Sequence, residues 1–594
     1  MKTATSQNAR PVYVLIDNQP QGPYLPEDVR KYLKSGQLQA TDLGAYTGSS
    51  DWKPLEVMVQ SWGAEGPAEG ASTMTQKSGK LPDLAALRRF LPWPVGTGSE
   101  KRGLITLAWV AVLIALCYGV IDAWDGHAWN AYRRDYEARV ASLDVKTYIP
   151  KPIPDSDNFA STPFVQSWFK LNRTLFDNDA YARAGNMLGS SKRARSGWKF
   201  EDLVAWEEAF TAVASGTAKP KEGFRVEDRD QSSRAQAAPA VLSGLADDAD
   251  VLEEMRAASA RPGARYPVVY DLKKPWDILL PHLAKIKGSC LRLGLKADAE
   301  LALGQNDKAF EDVNLMLYLT DTLKAEPFYI SYLVRAACMN LAIGPIWEGL
   351  AEHRWTDGQL QQLQTRLESY DFMADTQQAL RAERAFGLLH ADLVKKQGLG
   401  LLADLGAMDD SHPRKQHRFL LKMLSLVIPS GWYNQEKLQY CLLYDSDFKG
   451  TFDSTAKRVY PRQIAANDRA WKARSKDVWH AVTHHQLFAQ MMLPALSRGP
   501  KKAASAQITL DHAAIACALE RYRLANRQCP DTLEALVPRF KAHLPNDPFA
   551  DGTYRYRPGD NGQFVLYSVG WNETDDGGVP GKVMYDESNG DWVW

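Results

Sequence analysis

Three histidines offer the first candidate chemistry. His480, His484 and His485 lie in the run WHAVTHHQLF. On a helix, His480 and His484 share one face at the i, i+4 spacing that paired metal ligands need. The glutamate of an H-E-x-x-H motif is missing and no third ligand stands out, so an ordinary polar helix face is the simpler reading. Glu383 and His390, seven residues apart, also share a helical face and would allow an acid–base pair. Gly398, Gly400 and Ala403 fit a loose G-x-G-x-x-A pattern, but they follow a helix-like stretch where a nucleotide loop needs a strand. G-x-S-x-G, G-x-x-x-x-G-K-[ST] and the strict G-x-G-x-x-G do not occur. Cys290 and Cys338 sit in helix-like settings without a nearby histidine, which argues against a thiol nucleophile. The chain therefore reads as non-enzymatic.

The 594 residues allow about three to five domains at roughly 100–200 residues each. Lys plus Arg and Asp plus Glu both total 71, so the net charge is zero. That balance excludes a globally basic nucleic-acid binder and a polyacidic disordered chain. Six cysteines exclude a disulfide-dense scaffold. Cys517 and Cys529 allow either a bridge stapling a loop to a helix or two separate thiols.

Nineteen uncharged residues, Gly103 to Ile121, lie between Arg102 and Asp122. As a helix they reach about 28 Å, close to the roughly 30 Å hydrocarbon core of a bilayer. No other stretch reads as a span: Phe419–Ile428 is too short and contains Lys422. The run begins too far along to be a cleaved signal peptide. Arg88, Arg89, Lys101 and Arg102 precede it, whereas Arg133 and Arg134 follow among Asp122, Asp125 and Asp135. The positive-inside rule therefore puts residues before the span in the cytoplasm and those after it outside. Trp124 and Trp129 fit an interfacial belt.

Ahead of the span, Val12–Ile16 reads as a strand, Asp17–Gly22 as a turn and Pro26–Lys34 as a helix ended by Gly36. Tyr13, then Gly22-Pro23-Tyr24, then Val29, Tyr32 and Gly36 keep the spacing of a known signature, and Ser50–Leu55 matches its end. Residues 1–62 thereby resemble the GYF family, especially its bacterial GYF-2 branch. Pro11, Tyr32 and Gln37-Leu38 stand where that family carries Trp, Trp and Tyr-Phe. The resemblance implies a small α+β domain that binds a proline-rich protein segment on an aromatic shelf. Here Tyr13, Gly22, Pro23, Tyr24, Tyr32 and Trp52 would form that surface, because a polyproline helix loses little entropy on docking against flat rings. The same rings would also serve as core. Residues 63–102 have linker composition, with Leu84–Leu91 a short amphipathic insert.

Beyond the span (103–123), residues 124–500 read as a mainly helical body. Helices are expected near 163–176, 200–215, 249–259, 376–396, 414–428 and 462–493, and 216–248 reads as a long polar loop. Leu303–Phe310 resembles one tetratricopeptide unit. Gly304 and Ala309 would let two antiparallel helices approach closely, but with no second copy a single helix hairpin is the expectation. Thr356-Asp357-Gly358-Gln359 reads as a capping box that opens the helix Gln359–Tyr370.

Residues 501–594 read as an α+β module. A helix over 508–526 points Ile508, Ile515, Leu519 and Tyr522 inward, with Asp511 and Glu520 outward. Strands follow at Tyr554–Tyr556 and Gln563–Gly570. Asp547-Pro548-Phe549, Tyr554, Tyr556 and Tyr567-Ser568-Val569-Gly570 resemble the globular domain of the type II secretion major pseudopilin. That resemblance implies calcium held by an acidic loop, here Asn572, Asp575 and Asp576. A pseudopilin's membrane helix runs directly into this module; here the span lies far upstream, so polymerisation is not expected.

The expected fold class is multidomain: a small α+β head, one transmembrane helix, a large helical body and a C-terminal α+β module. The expected function is a single-pass scaffold or adaptor of the bacterial inner membrane. Its head would be cytoplasmic and its body periplasmic, with an envelope protein as further partner and no nucleic acid. An accessory component of a secretion or pilus-like assembly, or an envelope enzyme with its site in the body, are the alternatives.

Overall fold

The computed structural model describes residues 12–16, 19–24, 26–34, 38–46, 53–61, 99–170, 180–188, 197–216, 231–401, 423, 425, 427–474, 478–559 and 562–594. Most of the 63–102 linker and most of the helix expected at 414–428 lie outside these residues. The described chain is mostly helical with a few small sheets. It divides into two units, Met1–Cys117 with Ser167–Leu175, and Tyr118–Gln166 with Phe176–Trp594.

In the first unit, β1 (Val12–Ile16), β2 (Gln19–Tyr24), β3 (Leu43–Tyr46) and β4 (Lys53–Pro54) form an antiparallel sheet in the order β2-β1-β3-β4. The helices α1 (Pro26–Lys34) and α2 (Leu55–Ser61) accompany it. The two-residue period of β1 puts Val12 and Val14 on one face. They are fully buried with Val29 of α1 and with Leu38, Leu55 and Met58. At Gly44 of β3 a Cβ would come within 2.6 Å of Leu55 and 2.8 Å of Met58, so only glycine lets α2 lie this close.

The apolar run sits inside α3, one unbroken helix from Ser99 to Arg139. Its apolar side chains from Leu107 to Ile121 are exposed, Leu107 to 65%. From Tyr118 onward α3 belongs to the second unit, where it lies against α13 (Ser430–Phe448). The Asp122 carboxylate accepts the Ser430 hydroxyl at 2.9 Å and the Gly431 N–H, at the positive N-terminus of α13. A Cβ at Gly431 would stand 2.9 Å from the Ile121 carbonyl, so this close approach requires glycine. Asp125 accepts Gln435 Nε2 at 2.7 Å, and Lys437 Nζ lies 4.7 Å from the Trp129 ring centroid. Arg384, from α12 (Phe372–Gln397), is buried at the deepest point. It donates to Asp445 Oδ1 at 2.8 Å and to the Tyr132 hydroxyl, and Tyr132 in turn donates to Asp445 Oδ2 at 2.7 Å. The Tyr136 and Tyr444 rings flank the guanidinium at 4.2 and 4.6 Å.

Four helices open the body: α4 (Ala180–Leu188), α5 (Leu203–Ala214), α6 (Gln231–Gly244) and α7 (Ala249–Ala258). The expected loop over 216–248 is thus corrected for its second half, since α6 buries Ala237, Ala238 and Val241 against α5 and against Leu295 and Ala299 of the helix Pro281–Ala302. Its small residues pack closely without a strong amphipathic signature. Next, α8 (Pro281–Ala302) and α9 (Asn306–Asp321) form the expected hairpin, with Gly304 at φ +71° and Ala309 fully buried. The capping box is present: Gln359 N–H donates to Thr356 Oγ1 at 3.3 Å and Thr356 N–H to Gln359 Oε1 at 3.0 Å, opening α11 (Asp357–Glu368).

A second helix, α10 (Tyr329–Ala351), is also long and apolar enough to cross a membrane, contrary to the expectation of one candidate. Half of its apolar window is buried, and it packs against α8, α9 and α12. Within the helix expected at 462–493 the described residues form α14 (Pro461–Arg474), α15 (Val478–Thr483) and α16 (Leu487–Leu496), with an interruption at 484–486 and with 475–477 outside the described residues. His485 takes φ +55°, which an α-helix excludes.

The short strands β5 (Phe452–Asp453) and β6 (Arg458–Val459) pair with each other. The longest body helix, α17 (Gly499–Asn526), packs on α10, α11 and α12 and also carries the sheet of β7 (Arg555–Pro558), β8 (Phe564–Ser568) and β9 (Trp592–Val593). Being covered on both sides, it has no outward polar face of the expected kind. Glu520 is buried, pairing with Arg523 at 2.7 Å and His353 at 3.0 Å, and Asp511 accepts the Tyr554 hydroxyl at 2.8 Å.

Two predictions follow from these buried charges. Arg384→Met should cost about 3 kcal/mol, the scale of losing charged hydrogen bonds at a buried site, in denaturant unfolding of the solubilised protein. Glu436 of α13 is fully buried and accepts Leu487 and Phe488 N–H at 3.3 and 3.1 Å; burial pushes its carboxyl from 4.5 up to about 8. Between those values the folded chain holds a proton that the unfolded chain has released, so this group's stabilisation is lost as pH rises through about 8. Glu436→Gln should flatten the fall in unfolding free energy between pH 5 and pH 8; an unchanged slope would refute the assignment.

Candidate functional site

Two of the six expected head residues have described side chains. Tyr24 ends β2 and Tyr32 lies on α1, and their rings meet edge to face with centroids 5.6 Å apart. Both are half-buried against the Val12–Val29 core, and burial raises the Tyr24 phenol above its ordinary value. Each ring is therefore partly core and partly surface. Tyr13 pairs with Ala45 in the sheet register, Gly22 and Pro23 lie within β2, and Trp52 lies outside the described residues. The Tyr24–Tyr32 pair offers an aromatic surface of the kind a polyproline helix packs on.

The acidic loop is organised around a residue that sequence reasoning missed. Asp591 is buried and accepts Asp576 N–H at 3.2 Å and Gly578 N–H at 2.6 Å. Burial raises its carboxyl despite those bonds. Asp575 accepts Gly577 N–H and the Tyr567 hydroxyl, both at 3.0 Å, and the amide bond holds its carboxyl below the usual range. Asn572 Nδ2 donates to Asp576 Oδ2 at 3.0 Å. These carboxylates thus accept hydrogen bonds that shape the loop. Among the described residues, no three His, Cys, Asp or Glu side chains gather as a metal would need. The Asp547 of the Asp-Pro-Phe turn is fully buried and accepts Ser568 Oγ at 2.8 Å and Val569 N–H at 3.0 Å, tying that turn to β8.

Of the other sequence candidates, His480 and His484 come together while the rest separate. His480 and His484 stack at 3.9 Å, with His484 one residue past the end of α15. Glu383 accepts Tyr329 N–H at 3.3 Å, while His390 stacks on Trp276 at 5.9 Å and burial lowers its pKa. Gly398 closes α12 at φ +86°, and Ala403 lies outside the described residues. Cys517 and Cys529 are separate thiols; the first is buried and the second faces the Gly562 carbonyl at 3.5 Å.

A cavity of about 350 Å³ opens between α4, α5, α8 and α10. Tyr181, Trp198 and Trp206 form its aromatic walls, and Asp298, Asn340 and Glu348 supply polar groups. Glu348 accepts Glu201 N–H and Arg234 Nη2; Arg234 also reaches Glu352 at 3.2 Å. Burial pushes Glu348 up to about 7, against the lowering pull of Arg234. Such a site combines flat apolar walls with acceptors able to hold the N–H groups of a small polar molecule. Its residues come from Tyr181 to Met584, so no local motif could have announced it.

Comparison with protein-family models, with curated proteins and with solved structures gives no match. Asp591→Ala should leave the Asp576 and Gly578 amides without their acceptor. The expected cost is about 1–3 kcal/mol, with faster hydrogen exchange confined to residues 572–591; protection equal to that of the unaltered protein would refute this role.

Proposed function

We propose that the protein is a non-enzymatic, single-span scaffold of the bacterial inner membrane. A cytoplasmic GYF-like head binds a proline-rich segment, and a periplasmic helical body engages an envelope partner. The observation that carries this reading is α3. It is one unbroken helix with an exposed apolar stretch, and its continuation is hydrogen-bonded into the body at Asp122, Asp125 and Tyr132. Exposed side chains of that kind are stable in lipid, where the helix also satisfies its own backbone groups. The half-buried α10 has protein neighbours instead, which supports counting a single span. The four-stranded sheet with its helices and the Tyr24–Tyr32 pair support the GYF-like reading of the head.

The order of α17 followed by the β7–β8 hairpin supports the pseudopilin-like reading of the tail, and with it an accessory role in a secretion or pilus-like assembly as a second reading. Because α17 is packed on α10, α11 and α12, a stable bound tail fits that role better than a polymerising subunit.

Compartment-sensitive reporters fused ahead of residue 12 and after Trp594 should read cytoplasm and periplasm, respectively. Cytoplasmic signals from both would end the two-compartment reading. A proline-rich peptide titrated into the full-length protein should bind saturably. Tyr24→Ala should weaken it about tenfold, the equivalent of one aromatic contact of roughly 1–1.5 kcal/mol.

A further inference from the structure

A short apolar segment just before α13 is pinned where a bilayer would end. The Tyr118 hydroxyl donates to the Val427 carbonyl. Tyr118 lies about one helical turn inside the apolar run that closes at Ile121. Two residues earlier, Ser425 Oγ accepts Leu399 N–H at 2.7 Å, and just beyond, Ser430 and Gly431 bind Asp122. Val427 and its described neighbours are therefore held at three points, yet Val427 is 59% exposed and Met423 47%. About 9 Å further along α3, Trp124 is 75% exposed.

In water these exposed side chains would be a liability, and the Val427 carbonyl would need no tyrosine. Within lipid both facts have one cause. A carbonyl in the acyl region costs several kcal/mol unless a donor meets it, and here the spanning helix supplies that donor. On α3 itself, Val120 and Ile121 beside Tyr118 are likewise exposed, to 67% and 40%. We infer that Met423 and Val427 belong to a collar immersed in the acyl region of the leaflet from which α3 emerges, so that the body is seated in the membrane surface. The occupant of this surface is lipid. The inference rests on the reading of α3 as a membrane span.

The test uses the full chain in phosphatidylcholine–phosphatidylglycerol vesicles. With Cys117 and Cys529 replaced by serine, single cysteines at Leu107, Met423, Val427 or Val579 carry an environment-sensitive fluorophore, and lipids with a spin label on the acyl chain act as quencher. Quenching at Val427 comparable with that at Leu107, and several-fold above that at Val579, is the expected result. The Met423 label repeats the measurement should the Val427 variant fail to fold. Quenching at Leu107 alone would overturn the collar while leaving the span intact. Absence of quenching at Leu107 and at Val427 would overturn both. Shielding of Val427 from the lipid quencher and from aqueous iodide alike would mean that protein covers it, and would overturn lipid as the occupant.

Discussion

A guanidinium withdrawn from water is the constraint around which the second unit is arranged. Taking an Arg charge into a protein interior costs several kcal/mol unless partners surround it. Arg384 has Asp445 and Tyr132 in its plane and the rings of Tyr136 and Tyr444 against its faces. These partners come from α3 and α13, while the arginine comes from α12. Three helices distant in sequence must therefore meet in one register. Asp122 at the start of α13 and Gly431 beneath the α3 backbone fix the same register a few turns away. The long helix is thus a strut of the body along half its length, and its apolar side chains from Leu107 to Ile121 are exposed.

The same device recurs through the body. Arg292 meets Asp248 at 2.9 Å, and Arg234 meets Glu348 and Glu352. Apolar burial supplies the drive to associate but says little about register. Buried charges leave few alternatives, since any slip would strand one of them. Around α17 this matters most, because helices cover one side of it and the tail sheet the other.

Features written in a few neighbouring residues were legible from the sequence. The apolar run, the Thr356–Gln359 capping box and the Gly304 turn each depend on local spacing. Tyr24 and Tyr32 were reached through the GYF resemblance, while the strand that carries Tyr24, Gln19–Tyr24, was read in part as a turn over Asp17–Gly22. What escaped depends on distant partners. α6 was read as loop because its alanines and serines, with Pro239 inside, form no apolar stripe; they pack because α5 and α8 come to them. Glu520 looked like a surface residue until His353 and Arg523 enclosed it. The acidic loop was visible, but the residue that orders it, Asp591, lies 15 positions beyond Asp576 and takes its role only when β9 pairs with β8.

The distance between Tyr132 and Asp445 also sets a timetable. They are 313 residues apart in the chain, yet they are hydrogen-bonded. At about 5–20 residues per second, a ribosome needs on the order of 15–60 s to make the chain between them. For that interval the stripe of Trp129, Tyr132 and Tyr136 has emerged without the surface it will occupy, and α4 to α12 are born in the meantime. Helix hairpins such as α8–α9 close locally and can be complete before the strut has a socket. The newborn body therefore assembles around a vacancy, and α13 is the piece that fills it.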